Sequence, residues 1–556
     1  MKASDPTPKP DGVVRAPSAR PRPVGLPPAL RLVILLLAAV PSCCLYHTYG
    51  GENPSLFPVQ SETNLSLSLD YTVDGTFSSH LPLVVIEDMA EDVTGSTATA
   101  RLLVYDAGDG DNLLQNPPAM TLDVGMRRLS DWSDEGKISY LVEMADPGPT
   151  TLLGLPQDSS WLLRGSLRDK SMLRNSIAYA FGRVLFPQAT PSFRYCEVLR
   201  KQDGYYRYDG IYILAESDRH VIDSLADRMP DTPLLKYAPG QERRDELAVR
   251  SGNKVFTALQ DGPDNAELQA ARTRTAVDLA KLESALLALD PATFLRYETM
   301  LDEESVINLY ILNMLMINAE DAPVHFKLYT NRDGKLETLP EWDFDESLDN
   351  QPYRDHPLAF DEDFLRAQPP SVLSRRVPVW RELENGGDIR DLRIYPLYTA
   401  LSGENFIWFD RLFLSRPFLV KLYDRYHEVR RGPLSPDRIR TTIEELAFRL
   451  GPSLERDWIR WRREYTTAGS PYALRPFFDS EGNEQIRQTW SYDQEVVKIG
   501  HCLLRQDSFI RDQLERLDWM TADLYDKGSS GNRQAAYAFI TLFLMMALMY
   551  ALSKKL

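Results

Sequence analysis

The stretch from Asp302 to Asn350 leaves the chain few folds to choose from. Asp302 is a helix-capping residue, and the apolar spacing behind it predicts a helix from about Glu303 to Ile317. The short loop "NAEDAP" follows, and then "VHFKLYT" alternates like a strand. "NRDG" is a strong turn sequence, and "KLETLPEWDFD" reads as the return strand. If the turn closes with Asn331 near Gly334, paired positions sum to about 665, which sets Asp321 opposite Asp343 within roughly 5–8 Å at the backbone. Residues two apart on a strand share a face, so Asp343 and Asp345 point together while Phe344 turns to the core.

Three carboxylates at the open end of one hairpin suit a hard cation with oxygen ligands, Mg²⁺ or Mn²⁺. Such ions usually arrive with phosphates, and one carboxylate is then left to orient or deprotonate a hydroxyl nucleophile. The competing reading is a solvated acidic hairpin end, in a chain with 80 acidic residues.

Around this unit the texture changes along the chain. Residues 60–145 hold short runs rich in β-branched residues, among them "HLPLVVIEDM", "ATARLLVYDAG", "AMTLDVGMRRL" and "KISYLVEMAD". Asp169 to Leu185 reads as a helix opened by an Asp cap, and "FRYCEVLR" with "YDGIYILAES" as a hairpin around Gly204. From about 265 the pattern turns helical: Leu279, Leu282, Leu286 and Leu289 fall on one face, and "DP" at 290–291 stops that helix. After Pro357 most of the chain to Leu517 reads as helix, including the Arg/Trp-rich "ERDWIRWRREY". The expected plan is α+β, with a strand-rich N-lobe (about 60–230), a helical C-lobe (about 260–520) and a cleft between them.

The ends differ from this body. Residues 1–29 are proline-rich with little to bury, a composition that predicts disorder. Residues 30–47 carry an apolar run that can span a membrane with Arg31 at its edge. A cleaved signal peptide with a lipoprotein-like "AVPSC" box is the rival, which the long polar tail disfavours. Residues 535–552 are 18 residues without a charge, the stronger transmembrane candidate. Basic residues flank the outer side of both runs, so both termini read as cytoplasmic and residues 47–533 as extracytoplasmic.

The net charge of −17 is unevenly spread. The two basic ends leave the body strongly acidic, which sets aside nucleic acid and anionic lipid as partners. Four cysteines form no zinc spacing, and Cys196 with Cys502 is one possible pair rather than a disulfide framework.

Several motifs, taken in order over roughly residues 120–520, resemble the spore-coat CotH kinases, a family of atypical protein kinases. Asp169, Ser171, Arg174 and Asn175 are similar to the family's D-x-S-x-x-R-N helix. Gly210, Tyr212 and Glu216 resemble its G-x-Y-x-x-x-E strand. Asp321 and Pro323 look like its D-x-P-x-N-N loop, and Asp343 with Asp345 like the D-x-D that follows. The resemblance implies an atypical protein-kinase-like two-lobed fold, here with a transmembrane helix at each end, that binds ATP with Mg²⁺ or Mn²⁺. It gives Asp321 the catalytic-loop role, Asp343 metal binding and Asp345 a supporting metal role. Lys137, in "EGKISYLVEM", becomes the candidate for the ATP phosphates, against the alternative of an exposed strand lysine. Arg127 is a second phosphate candidate, Glu216 a lining residue of the nucleotide pocket, and Arg174 and Asn175 structural residues.

The chain departs from the pattern where His325 and Phe326 take the two asparagine positions, and "GMRRLSD" stands where an RGNSS-like loop is expected. Phenylalanine cannot ligate a metal, and imidazole is a poor Mg²⁺ ligand. Two function classes follow. One is a membrane-anchored kinase that moves the γ-phosphate of ATP to Ser or Thr of secreted or surface proteins. The other is a catalytically degenerate scaffold or binding protein of the cell envelope, with an accessory role in surface-polymer synthesis as a variant.

Overall fold

The structure, a computed structural model, describes residues 71–511 apart from short internal stretches and the longer 222–231, 238–247, 318–325 and 351–406. The four N-terminal runs form strands β1 (Leu83–Glu87), β2 (Thr97–Tyr105), β3 (Met120–Arg128) and β4 (Tyr140–Met144). Strands β5 (Ser160–Arg164), β6 (Phe193–Gln202) and β7 (Tyr205–Glu216) continue the sheet in the order β1-β2-β3-β4-β5-β7-β6. Strand β6 then pairs back onto β1, closing a barrel. A ring of seven cannot alternate direction throughout, so one pair must run alike, and β1–β6 is that parallel pair. Closure removes the unpaired edges that an open sheet would expose. Alternate residues fill the interior, including Val84, Leu102, Val124, Val142, Leu163 and Leu214 around Trp161 and Tyr212.

The expected hairpin around Gly204 is present, pairing Gln202 with Tyr205, and Gly204 has φ +81°. A bulge between Tyr208 and Gly210 interrupts β7, with Gly210 at φ +110°.

The helices used below are α1 (Arg174–Leu185), α2 (Ala266–Leu287), α3 (Glu303–Met316), α4 (Arg416–Arg431), α5 (Pro436–Leu450), α6 (Ser453–Thr466) and α7 (492–504). The expected leucine face of α2 is buried at Leu279, Leu282 and Leu286, while Leu289 lies outside the described residues. Asp302 caps α3 by accepting from the Ser305 amide at 2.8 Å.

The Arg/Trp-rich sequence is α6, and it clasps the barrel at the β7 bulge. Arg456 forms a two-bonded pair with buried Glu197, at 2.9 and 2.7 Å. The indoles of Trp458 and Trp461 donate to the carbonyls of Lys170 and Asp209. Asp457 accepts from the Ile211 amide at 2.8 Å. A Cβ at Gly210 would stand 2.3 Å from the Asp457 carboxylate, so the bulge needs glycine for space as well as for φ.

The expectation was a helix-rich C-lobe with one hairpin, and that hairpin is part of a five-stranded second sheet. Strands β8 (Leu235–Tyr237), β9 (Ala248–Ser251), β10 (Lys254–Ala258), β11 (Phe326–Thr330) and β12 (Leu336–Pro340) run in the order β9-β10-β8-β11-β12. The hairpin gains a neighbour from a distant segment, since β8 pairs with β11. Helix α3 packs on β12, where Ser305 Oγ accepts from the Thr338 amide at 2.9 Å. The helical reading of residues 358–405 falls outside the described residues.

Helix α1 begins at Arg174, five residues later than the Asp cap suggested. Asp169 nonetheless serves that end, accepting from the amides of Ser171 and Arg174 at 3.1 and 2.9 Å. The Arg174 guanidinium is fully buried and donates to Asp169 at 2.8 Å, to the Ser347 carbonyl at 2.8 Å and to Glu495 on α7 at 2.6 Å.

Among the described residues no helix is long and apolar enough to cross a membrane, and both apolar runs, 30–47 and 535–552, lie outside them. Cys196 and Cys502 are free thiols rather than a pair, with Cys196 sealed in the barrel interior.

Burial opposes the charge on Glu495, but Lys498 and Arg174 overcome it and hold the carboxyl down at about 2. A group depressed in this way adds stability that is complete above the unfolded carboxyl pKa of about 4.3 and is lost as pH falls toward 2. Glu495→Gln should therefore lower the denaturation midpoint at pH 7 and flatten its decline between about pH 4 and pH 2, read by urea titrations across that range.

Candidate functional site

The hairpin delivers the acid pair. Gly334, at φ +75°, donates to the Asn331 carbonyl at 3.0 Å, and the Asn331 side chain accepts from the amides of Asp333 and Lys335. Phe326 pairs with Pro340 and Thr330 with Leu336, one residue off the expected register. Past Pro340 the chain keeps alternating. Trp342 and Phe344 are buried, Asp343 is exposed and Asp345 is partly exposed. Trp342 anchors the alternation by donating to the Ala189 carbonyl at 3.0 Å and meeting Tyr179 edge-on.

Two other segments grip the loop. Asn175 on α1 donates to Asp345 at 2.5 Å and accepts from the Phe344 amide at 2.8 Å. Residues 164–168, leaving β5, face the acids in step: Arg164 pairs with Asp343 at 3.3 Å, Ser166 bonds Asp345, and Arg168 pairs with Glu346. Gly165 makes that approach possible, because a Cβ there would meet the Tyr212 ring at 2.3 Å. Burial and then the charge of Asp343 push Asp345 up to about 7, against the opposing pull of Arg164 and Ser166. The Asp343 charge thus raises the proton affinity of Asp345, and a cation between the two would relieve it.

A second charged group lies beside the first. Buried Lys327 on β11 pairs with Asp218 at 2.6 Å and Glu341 at 3.4 Å, and Lys236 on β8 reaches Glu341 at 2.9 Å. Burial opposes ionisation of Glu341, yet the two lysines hold it at about 2. The Tyr179 hydroxyl is buried without a hydrogen-bond partner among the described residues, and burial pushes it up to about 12. Its electrostatic neighbours are Arg164, Asp343, Asp345 and Lys327.

The site residues named from sequence are not all gathered here. Asp343 and Asp345 lie on the same loop, and Asn175 bonds Asp345 directly. Asp321, with Pro323 and His325, lies outside the described residues. Phe326 is fully buried and stacks on Tyr237 with ring centroids 5.4 Å apart. Glu216 ends β7 and accepts from the Ser192 amide at 2.6 Å. Arg127 sits on the exposed face of β3, opposite in direction to the inward-facing Met126.

Lys137 is not an exposed strand lysine. It precedes β4 and turns inward, its ammonium fully buried on Asp457 at 2.6 Å. The residues missed from sequence are Arg164, Ser166, Lys327 and Glu341. The basic spacing in "RGSLR" was a visible signal for the first two, whereas Lys327 looked like an ordinary strand residue. Lys137→Met should leave the Asp457 carboxylate buried without its cation and cost about 3–5 kcal/mol in urea denaturation at pH 7. If Lys137 serves phosphates instead, stability will hold and nucleotide affinity alone will fall.

The described residues form a mixed α+β chain with a closed barrel, a second sheet and an acid pair at the mouth of a hairpin. A family profile described as CotH kinase protein matches residues 131–493, and the chain belongs to that family. The match runs from just before β4 into α7 and takes in the whole acid-pair loop. A search of curated proteins finds no match.

Proposed function

We propose that this protein is a membrane-anchored CotH-type kinase that transfers the γ-phosphate of ATP to Ser or Thr hydroxyls of secreted or surface proteins. The observation that carries the reading is the acid pair: Asp343 open to solvent, and Asp345 fixed by Asn175 beside it. That donor set suits a divalent cation in kind, and among the described residues no third acidic, histidine or cysteine side chain joins it. It is all oxygen, it has one open carboxylate, and the mutual repulsion at Asp345 is what a cation would relieve. Asp343 and Asp345 would hold Mg²⁺ or Mn²⁺, which supplies charge neutralisation to the nucleotide phosphates. Asn175 keeps the Asp345 oxygens aimed, and Phe344 and Trp342 pin the backbone beneath them. Asp321 is assigned the role of accepting the proton of the substrate hydroxyl.

A degenerate, non-transferring scaffold is the second reading, and two observations favour it. Phe326 is packed into the sheet where the family pattern has asparagine, and the Lys137 ammonium is engaged by Asp457. Nucleotide titrations with and without Mg²⁺ separate the readings. Asp343→Asn should weaken metal-dependent ATP binding at least tenfold while leaving folding intact, since it removes one of two crowded charges. Asp321→Asn should leave ATP binding nearly unchanged and abolish transfer. Binding of Mg-ATP by the wild type with no transfer to itself or to Ser/Thr peptides favours the scaffold, and no nucleotide binding at all defeats both readings.

The basic flanks of the two apolar runs support an extracytoplasmic body with both termini in the cytoplasm. Protease added outside intact cells should then degrade residues 47–533, and removal of the proline-rich tail alone would reverse the orientation.

A further inference from the structure

The basic residue that reaches Asp343 differs from Arg174 and Arg456, the two arginines that fasten the fold. Arg174 makes hydrogen bonds to two carboxylates and a carbonyl, at 2.6–2.8 Å. Arg456 makes a two-bonded pair with Glu197. Arg164 Nη1 stands 3.3 Å from the Asp343 carboxylate, and the buried Arg164 Nε has no hydrogen-bond partner among the described residues. Its side chain is 16% exposed and that of Asp343 is 56% exposed, so the cation is fixed in the scaffold and the acid is the open member. The scaffold is rigid, because Arg164 closes β5 and pairs with Ile213 of the barrel strand β7. The electrostatic neighbours of the guanidinium include Tyr179, Asp343, Asp345 and Glu341. A guanidinium held by charge, with a donor unspent, is well placed to neutralise an acid pair and poorly placed to lock it.

We propose that Arg164 is the resident counter-cation of the acid pair, a positioning residue that holds Asp343 when no metal is bound and that a divalent cation must displace. The proposal rests on the reading of Asp343 and Asp345 as the metal site. A divalent ion entering between the carboxylates meets a fixed positive charge at contact distance from one of its ligands, and the two cations compete for the same oxygens. Arg164 therefore sets how weakly metal binds by itself.

The test is a Mn²⁺ titration of the full-length protein, followed by the electron paramagnetic resonance of free Mn²⁺, with thermal denaturation in parallel. Arg164→Gln keeps a polar side chain and removes the charge. It should bind Mn²⁺ roughly tenfold more tightly than the wild type, and its metal-free Tm should fall and be restored by Mn²⁺. Arg164→Lys, with the same charge on a shorter reach, should fall between the two and answers the question alone if Arg164→Gln does not fold. A structural role would lower the Tm without tightening Mn²⁺ binding. Mn²⁺ affinity in the variants equal to or weaker than in the wild type overturns the competition and leaves the metal site standing. No Mn²⁺ binding by wild type or variants overturns the metal site and this proposal with it.

Discussion

Arg174 is the charge on which the arrangement depends. Its guanidinium has no exposure, and removing such a group from water costs several kcal/mol unless every partner is in place. The partners come from three separate segments: Asp169 ahead of α1, the Ser347 carbonyl just past the acid pair, and Glu495 on α7. None of those segments can shift without exposing a carboxylate or orphaning a donor. The loop that carries Asp343 and Asp345 is thereby tied to the start of one helix and to another helix more than a hundred residues further on. Asn175, the next residue of α1, uses that fixed backbone to hold both the Asp345 carboxylate and the Phe344 amide.

The basic residues of the barrel divide the work. Lys137 is spent on Asp457, where it helps join α6 to the β7 bulge, and Arg456 joins the same helix to Glu197. These pairs are buried on both sides. The segment 164–168 instead meets an acidic loop near the surface, with Asp343 still open. The difference between a fastening and a site lies in solvent access and in unspent hydrogen-bonding capacity rather than in residue type. Lys327 and Glu341 extend the polar floor beneath the pair, where Tyr179 supplies a hydroxyl without a partner among the described residues.

Family membership and geometry meet at this loop. The CotH kinase match includes it, with Asp343 and Asp345 inside the matched residues. Phe326, a strand residue buried against Tyr237, strengthens the second sheet and offers no ligand atom. A side chain without a donor ahead of the acid pair makes transfer and binding separate questions for this protein.

The sequence by itself determined the local elements. Turn chemistry at Asn331–Gly334, the Asp302 cap and the leucine spacing of α2 act between residues close in the chain, so composition and period were enough to find them. The hairpin placed Asp343 and Asp345 for the same reason, since alternation is a local property. Tertiary structure decided everything that pairs distant segments. The parallel β1–β6 contact that closes the barrel joins residues more than a hundred apart, and no periodicity announces it. Strand β8 reached the hairpin edge from before α2, which made the expected hairpin part of a five-stranded second sheet. The fate of each basic residue was settled in the same way. Lys137 and Arg164 both lie in or beside short apolar strands, and only the arrival of α6 over one and of the acid loop over the other made the first a fastening and the second a neighbour of the candidate site. Charge carries no direction in a sequence, and its partner is known only when the chain has folded back on itself.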